Sequence, residues 1–167
     1  MMNSIIKNIR EECHLKKILR TSVLALITAG LFTGCSTPKP EPLIDGTYSV
    51  MFDQPDSTDW KAFMTIEISG GRITEINYDY EGTGENEGKL KSEDVAYNEA
   101  MFATKGTKPT IYLEELEKSL LEHQDPDKVD TVSGATTSSK DFRTFVEAVL
   151  KASREGNEAP IIISQYE

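Results

Sequence analysis

Between Trp60 and Tyr80 the chain alternates apolar and polar side chains twice, on either side of a Gly70-Gly71 pair. Trp60, Ala62, Met64, Ile66 and Ile68 interleave with Lys61, Phe63, Thr65 and Glu67. A period of two sends the first set to one face of an extended strand. Adjacent glycines accept the positive φ angles of a two-residue hairpin turn, so an antiparallel hairpin is predicted. In its second arm Ile73, Glu75, Asn77 and Asp79 are expected on one side, with Thr74, Ile76, Tyr78 and Tyr80 on the other. A hairpin with one apolar face is marginal in water. The rest of the chain must supply its cover.

Helical periodicity provides that cover. Phe142, Phe145, Val146, Val149 and Leu150 fall at i, i+3, i+4, i+7 and i+8, a full apolar stripe. Ser138 or Ser139 is expected to cap this helix, and Gly156 to end it. A second helix is predicted over 111–122, after a chain break at Pro109, with Leu113, Leu116 and Leu120 inward. A third opens at Ser92-Glu93-Asp94 and turns Ala96, Tyr97, Ala100 and Met101 to one face. Thr47 to Phe52 reads as a further strand, and Ile161 to Ile163 as an edge strand. The fold class is α+β: a small antiparallel sheet with about three helices packed on it.

Charge narrows the partners. The chain carries a formal −10, but residues 1–34 hold five basic and two acidic residues, which leaves −13 on the remainder. An acidic body repels phosphate backbones, so nucleic acid is excluded as a partner. The two cysteines, Cys13 and Cys35, lie before the predicted fold and give it no disulfide framework. His14 falls in the N-terminal segment, which leaves His123 without a second His or Cys for a transition-metal site.

Lys16, Lys17 and Arg20 precede an apolar run, residues 22–32, that is too short to span a bilayer. Basic, then apolar, then small residues is the order of a secretory signal. The run closes on Leu31-Phe32-Thr33-Gly34-Cys35, which resembles the bacterial lipobox, with Phe32 where Leu is commoner. That resemblance implies a signal peptide over 1–34, a diacylated Cys35, and a proline-rich tether over 35–43. Each buried methylene of an acyl chain contributes about 0.8 kcal/mol to membrane binding. Residues 44–167 form the expected domain, held at the extracytoplasmic face of the cell membrane.

The chemistry lies between the last two predicted helices, in Asp130-Thr131-Val132-Ser133-Gly134-Ala135-Thr136 followed by Thr137-Ser138-Ser139. From physics alone, a polar loop opening onto a helix presents unpaired N–H groups and the positive end of the backbone dipole, a ready seat for phosphate. Gly134 is expected to let a phosphate or an enzyme approach, Ala135 keeps the neighbour small, and Lys140 and Arg143 add positive charge. Asp130 caps the loop or helps a modifying enzyme hold its metal. A bland alternative, a polar turn with a helix cap, uses the same residue types.

The heptad resembles the flavinylation motif of the FMN-binding domain family, an Asp, two variable residues, then Ser or Thr, Gly, Ala and Thr, and it agrees at every fixed position. The resemblance extends over roughly residues 45–156 and is strongest for the lipoprotein branch of Gram-positive extracellular electron transfer flavoproteins. It implies that Thr136 carries FMN through a phosphoester, with Asp130, Ser133, Gly134, Ala135 and Thr137 around it. It further implies a Mg²⁺-dependent flavin transferase with FAD as donor, an upstream quinol or NADH dehydrogenase, and an extracellular electron acceptor. The protein is then an electron carrier rather than a stand-alone enzyme, with an extracellular reductase as the enzymatic version. The competing expectation is a non-redox surface lipoprotein, a binding or adhesion module. Trp60 is read as a core aromatic or a flavin neighbour, Tyr97 and Met101 as core, and Lys89 and Lys91 as meeting flavin, partner or solvent.

Overall fold

The computed structural model describes residues 41–166. The expected signal peptide, Cys35 and most of the expected tether lie outside the described residues. Three strands, β1 (Gly46–Phe52), β2 (Trp60–Ser69) and β3 (Arg72–Gly82), are followed by α1 (Val95–Lys105), α2 (Pro109–His123) and α3 (Thr136–Glu155), then β4 (Ile161–Ile163). The sheet order is β3-β2-β1-β4. β1, β2 and β3 pair antiparallel, as expected, but β4 runs parallel to β1, so the sheet is mixed. α3 packs across β1 and β2 and leads into β4, which joins the sheet at the free edge of β1.

The hairpin forms where the alternation places it. Gly70 and Gly71 have φ of 60° and 71°. Their N–H groups donate to the two oxygens of Asp45 at 2.9 and 2.8 Å. Those two bonds hold the Asp45 carboxyl below its ordinary range. Val50, Met64 and Tyr78 form one buried cross-strand row, and Tyr48, Ile66 and Ile76 the next. The register shifts between Glu67 and Ile68, so that Ile68 faces Ile73 and Thr74 is the extra residue of a bulge. The bulge returns Ile73 to the core beside Ile76, against the strict alternation expected for this arm.

α3 buries its whole stripe. Phe142, Phe145, Val146 and Val149 are fully enclosed. The ring of Phe145 lies 4.7 Å from Phe52 on β1, and Phe142 lies 5.1 Å from Tyr78 on β3. Removing either aromatic costs on the order of 3–5 kcal/mol. α2 covers β3 with Tyr112, Leu113, Leu116 and Leu120. It starts at Pro109, which occupies the first helical position instead of breaking the chain.

Two further expectations are corrected. On α1, Tyr97 and Met101 pack half-buried against the core, as expected, but Ala96 and Ala100 are exposed and the fully inward residue is Asn98. Its amide donates to the carbonyls of Lys91, Ser92 and Asp94, and its Oδ1 accepts from Thr110. A buried amide with that many partners fastens α1, the preceding loop and α2 together. On α3, neither Ser138 nor Ser139 is the cap, because the helix already begins at Thr136. Gly156 ends α3 in the left-handed conformation, as expected.

Candidate functional site

The loop before α3 is stapled from within. Ser139 Oγ accepts from the Val132 N–H at 3.0 Å and donates to the Ala135 carbonyl at 2.9 Å. The Ala135 N–H donates to Val132 O at 3.0 Å. Tyr78 Oη donates to the Ser138 carbonyl at 3.1 Å and therefore accepts from Tyr80 Oη, 2.8 Å away. The carbonyl can only accept, so this order of protons is forced. The first turn of α3 is thereby pinned to β3.

Gly134 has φ of 82°, and a Cβ there would lie 2.6 Å from the Lys105 carbonyl. The glycine is required by its own backbone and by the end of α1, a different reason from the open access expected for it. Ala135 stands at the N-cap with no side-chain hydrogen bond, and no acidic residue follows in the first turn. Alanine is among the poorest residues at this position because it leaves the first amides unsatisfied. The N–H groups of Thr136, Thr137 and Ser138 are thus the open end of the α3 dipole. Thr136 and Thr137 are exposed.

This helix start opens onto a cleft of about 520 Å³. Residues 134–138 form one wall, and Tyr80, Lys91, Tyr97, Met101 and Asp56 line it from the other elements. The remaining motif residues face elsewhere. Asp130 and Ser133, both exposed, line a separate cavity of about 400 Å³ with Gly106, Thr107 and Leu116. Arg143 also turns to that side, donating to Val129 O and Thr131 Oγ1. The motif therefore forms a ridge between two hollows, with Gly134, Ala135, Thr136 and Thr137 on one and Asp130 and Ser133 on the other.

Lys91, Asp56 and Asp141 line the cleft and were undecided or unremarked in the sequence. Lys91 is buried, with its Nζ 4.3 Å from the ring centre of Tyr80, 4.8 Å from Tyr97 and 5.8 Å from Trp60. Burial pushes its ammonium below the ordinary lysine range, against the pull of Asp56, Asp79 and Asp141. Lys89, by contrast, is exposed and pairs with Asp94 at 3.6 Å. Asp141 also lines the cleft, and burial followed by repulsion from Asp56 raises its carboxyl to about 6. Trp60 is a core residue, edge-on to Tyr97. Among the described residues there is no cluster of His, Cys, Asp and Glu able to hold a metal ion.

Fold and site define a class: a small α+β domain with an anion-receptive helix start above a ligand-sized cleft. Residues 58–151 match the FMN-binding domain family. The chain is 36% identical over 138 residues to the 15 kDa lipoprotein of Treponema pallidum (strain Nichols), covering 83% of this chain and 94% of the relative. The crystal structure of a Clostridium perfringens protein superposes with a TM-score of 0.68 at 38% identity, covering 73% of this chain and 98% of that one. The chain belongs to the FMN-binding domain family.

The residues suit the family's ligand. The cleft falls within the roughly 300–1,000 Å³ range of small-molecule sites. Tyr80 and Tyr97 offer aromatic walls, and the uncapped amides of α3 suit a phosphate.

Proposed function

We propose that this protein is a lipid-anchored, extracytoplasmic electron carrier whose FMN is esterified to the hydroxyl of Thr136. The observation that carries the reading is the exposed Thr136 at an uncapped helix start, opening onto the cleft. In the attachment step a Mg²⁺-dependent flavin transferase supplies FAD. Thr136 Oγ1 bonds to the FMN phosphorus, the pyrophosphate bond breaks, AMP departs, and the hydroxyl proton is lost. The phosphodiester so formed keeps one negative charge.

Each residue has a part in that arrangement. The amides of Thr136, Thr137 and Ser138 receive the anion, and Ala135 at the N-cap brings no side-chain acceptor to compete for them. The Tyr78 bond to Ser138 and the Ser139 staple keep the turn from shifting. Asp130 and Ser133, on the other flank, are placed for the transferase to grip while Thr136 reacts. FMN supplies the redox chemistry, accepting one or two electrons; the protein supplies position and electrostatics. Attachment through Cys35 would keep the domain near a membrane quinol or NADH dehydrogenase, and the acidic body would favour cationic extracellular acceptors. The family resemblance of the motif and the name of the Treponema pallidum relative support this placement. Among the described residues no helix is long and apolar enough to cross a membrane.

The test is intact-mass spectrometry after incubation with a flavin transferase, FAD and Mg²⁺. The protein is expected to gain one FMN residue, turn yellow and fluoresce in a denaturing gel, whereas Thr136→Ala gains nothing. An unmodified parent beside an active transferase would favour the non-redox lipoprotein.

A further inference from the structure

Lys91 is held more firmly than a surface lysine and satisfied less well. Its N–H donates to Tyr80 O at 2.9 Å, and its carbonyl accepts from Asn98 Nδ2 at 3.0 Å, so the backbone is tied on both sides. Its side chain is only 6% exposed, yet it lines the cleft. Asp56 Oδ2 lies 3.7 Å from Nζ. A charged N–H···O bond is about 2.7–2.9 Å long, so this is attraction without a hydrogen bond. Asp56 Oδ1 is already occupied by Thr58 N, Thr58 Oγ1 and Trp60 N. An ammonium has three donors, and a buried charge is normally paired or bound to a ligand. Here three ring faces surround the cation, and its donors are left to the cleft.

Phosphate does not need this lysine, because the α3 amides already receive it. We propose that Lys91 is the fixed cation that sets the electron affinity of the flavin in this cleft, with Asp56 as its partial counter-charge. The proposal rests on the assignment of Thr136 as the attachment site. Two electrons taken up with one proton leave the reduced cofactor one charge more negative than the oxidised one. A cation in a low-dielectric pocket favours the more negative member of the couple and raises its potential. Removing the lysine lowers the potential, and removing its counter-charge raises it. Asp56→Asn keeps an Oδ1 acceptor for Thr58 and Trp60, so it changes the charge while sparing the loop.

Redox titration of the flavin-loaded parent, Lys91→Gln and Asp56→Asn tests this, with loading read separately by intact mass. The midpoint of Lys91→Gln is expected to fall by about 30 mV or more, which is a tenfold change for a two-electron couple. Asp56→Asn is expected to rise by a smaller amount. A midpoint unmoved or raised in Lys91→Gln overturns the proposal. Should Lys91→Gln accept no flavin, Asp56→Asn decides: a rise supports the role of the charge and no rise overturns it. A parent that accepts no flavin defeats the Thr136 assignment itself, and this proposal with it.

Discussion

α1 and α3 both wall the cleft and both end on a left-handed glycine, Gly106 and Gly156, but they begin in opposite ways. Asp94 caps α1, accepting from the Tyr97 N–H at 2.8 Å. That bond, with Lys89 nearby, holds its carboxyl below the ordinary range. α3 has Ala135 at the same position and no acidic side chain in its first turn. In a chain with 28 acidic residues, α2 and α3 both open without one, and of the two it is the α3 start that carries the motif and lines the cleft. A helix can take its anion from its own side chains, as α1 does from Asp94. A helix left open is suited to take one from outside.

The contrast can be broken by giving α3 an anion of its own. Thr137→Asp puts a carboxylate in the exposed first turn, where it is expected to add about 0.3–1 kcal/mol of stability. It should also slow FMN attachment several-fold in a timed mass assay, because the carboxylate competes for the same amides. Asp94→Ala is the converse. It should lower the melting temperature, since α1 loses its cap, and leave the rate of attachment unchanged. Attachment slowed by Asp94→Ala as strongly as by Thr137→Asp would erase the distinction between the two helix starts.

The smallest expected effect concerns pH. The Asp141 carboxyl, raised to about 6 by burial, binds its proton more tightly in the folded state than in the unfolded chain. Its contribution to stability is therefore full below the ordinary carboxylate range. It declines as pH rises from about 4 to about 6, and is flat above that. Asp94, whose carboxyl is lowered, contributes in the opposite sense: its share is present at neutral pH and is lost on acidification. Asp141→Asn should make the decline shallower, leaving the share of Glu117, whose carboxyl burial raises to about 7, and melting curves recorded between about pH 4 and pH 7 would show the difference.

Much of this fold was legible in the sequence because its signals are periodic. The alternation around Gly70-Gly71 and the stripe from Phe142 to Leu150 each depend on side chains within one element. What escaped depends on pairing between elements. The bulge at Thr74 carries no Gly or Pro to announce it, and β4 has a direction only because it meets β1. Asn98 gave no signal, because polarity carries no sign of inward burial when partners are waiting. The site divides in the same way. The helix start at Thr136 was visible as a motif, but its opposite wall is not. Lys91, Asp56 and Asp141 come together only once β3 and the loops beside it are folded against α3. Gly134 was noticed for the wrong reason, since its need arises from Lys105, far away along the chain.

The central claim is that the three open amides of α3 receive the phosphate. Amide ¹H–¹⁵N spectra of the protein before and after flavin attachment test it most directly. The account predicts that Thr136, Thr137 and Ser138 move downfield as their N–H groups gain a charged acceptor, while the Tyr97 amide, already bound by Asp94, stays near its place. Attached flavin with those three resonances unmoved would contradict it.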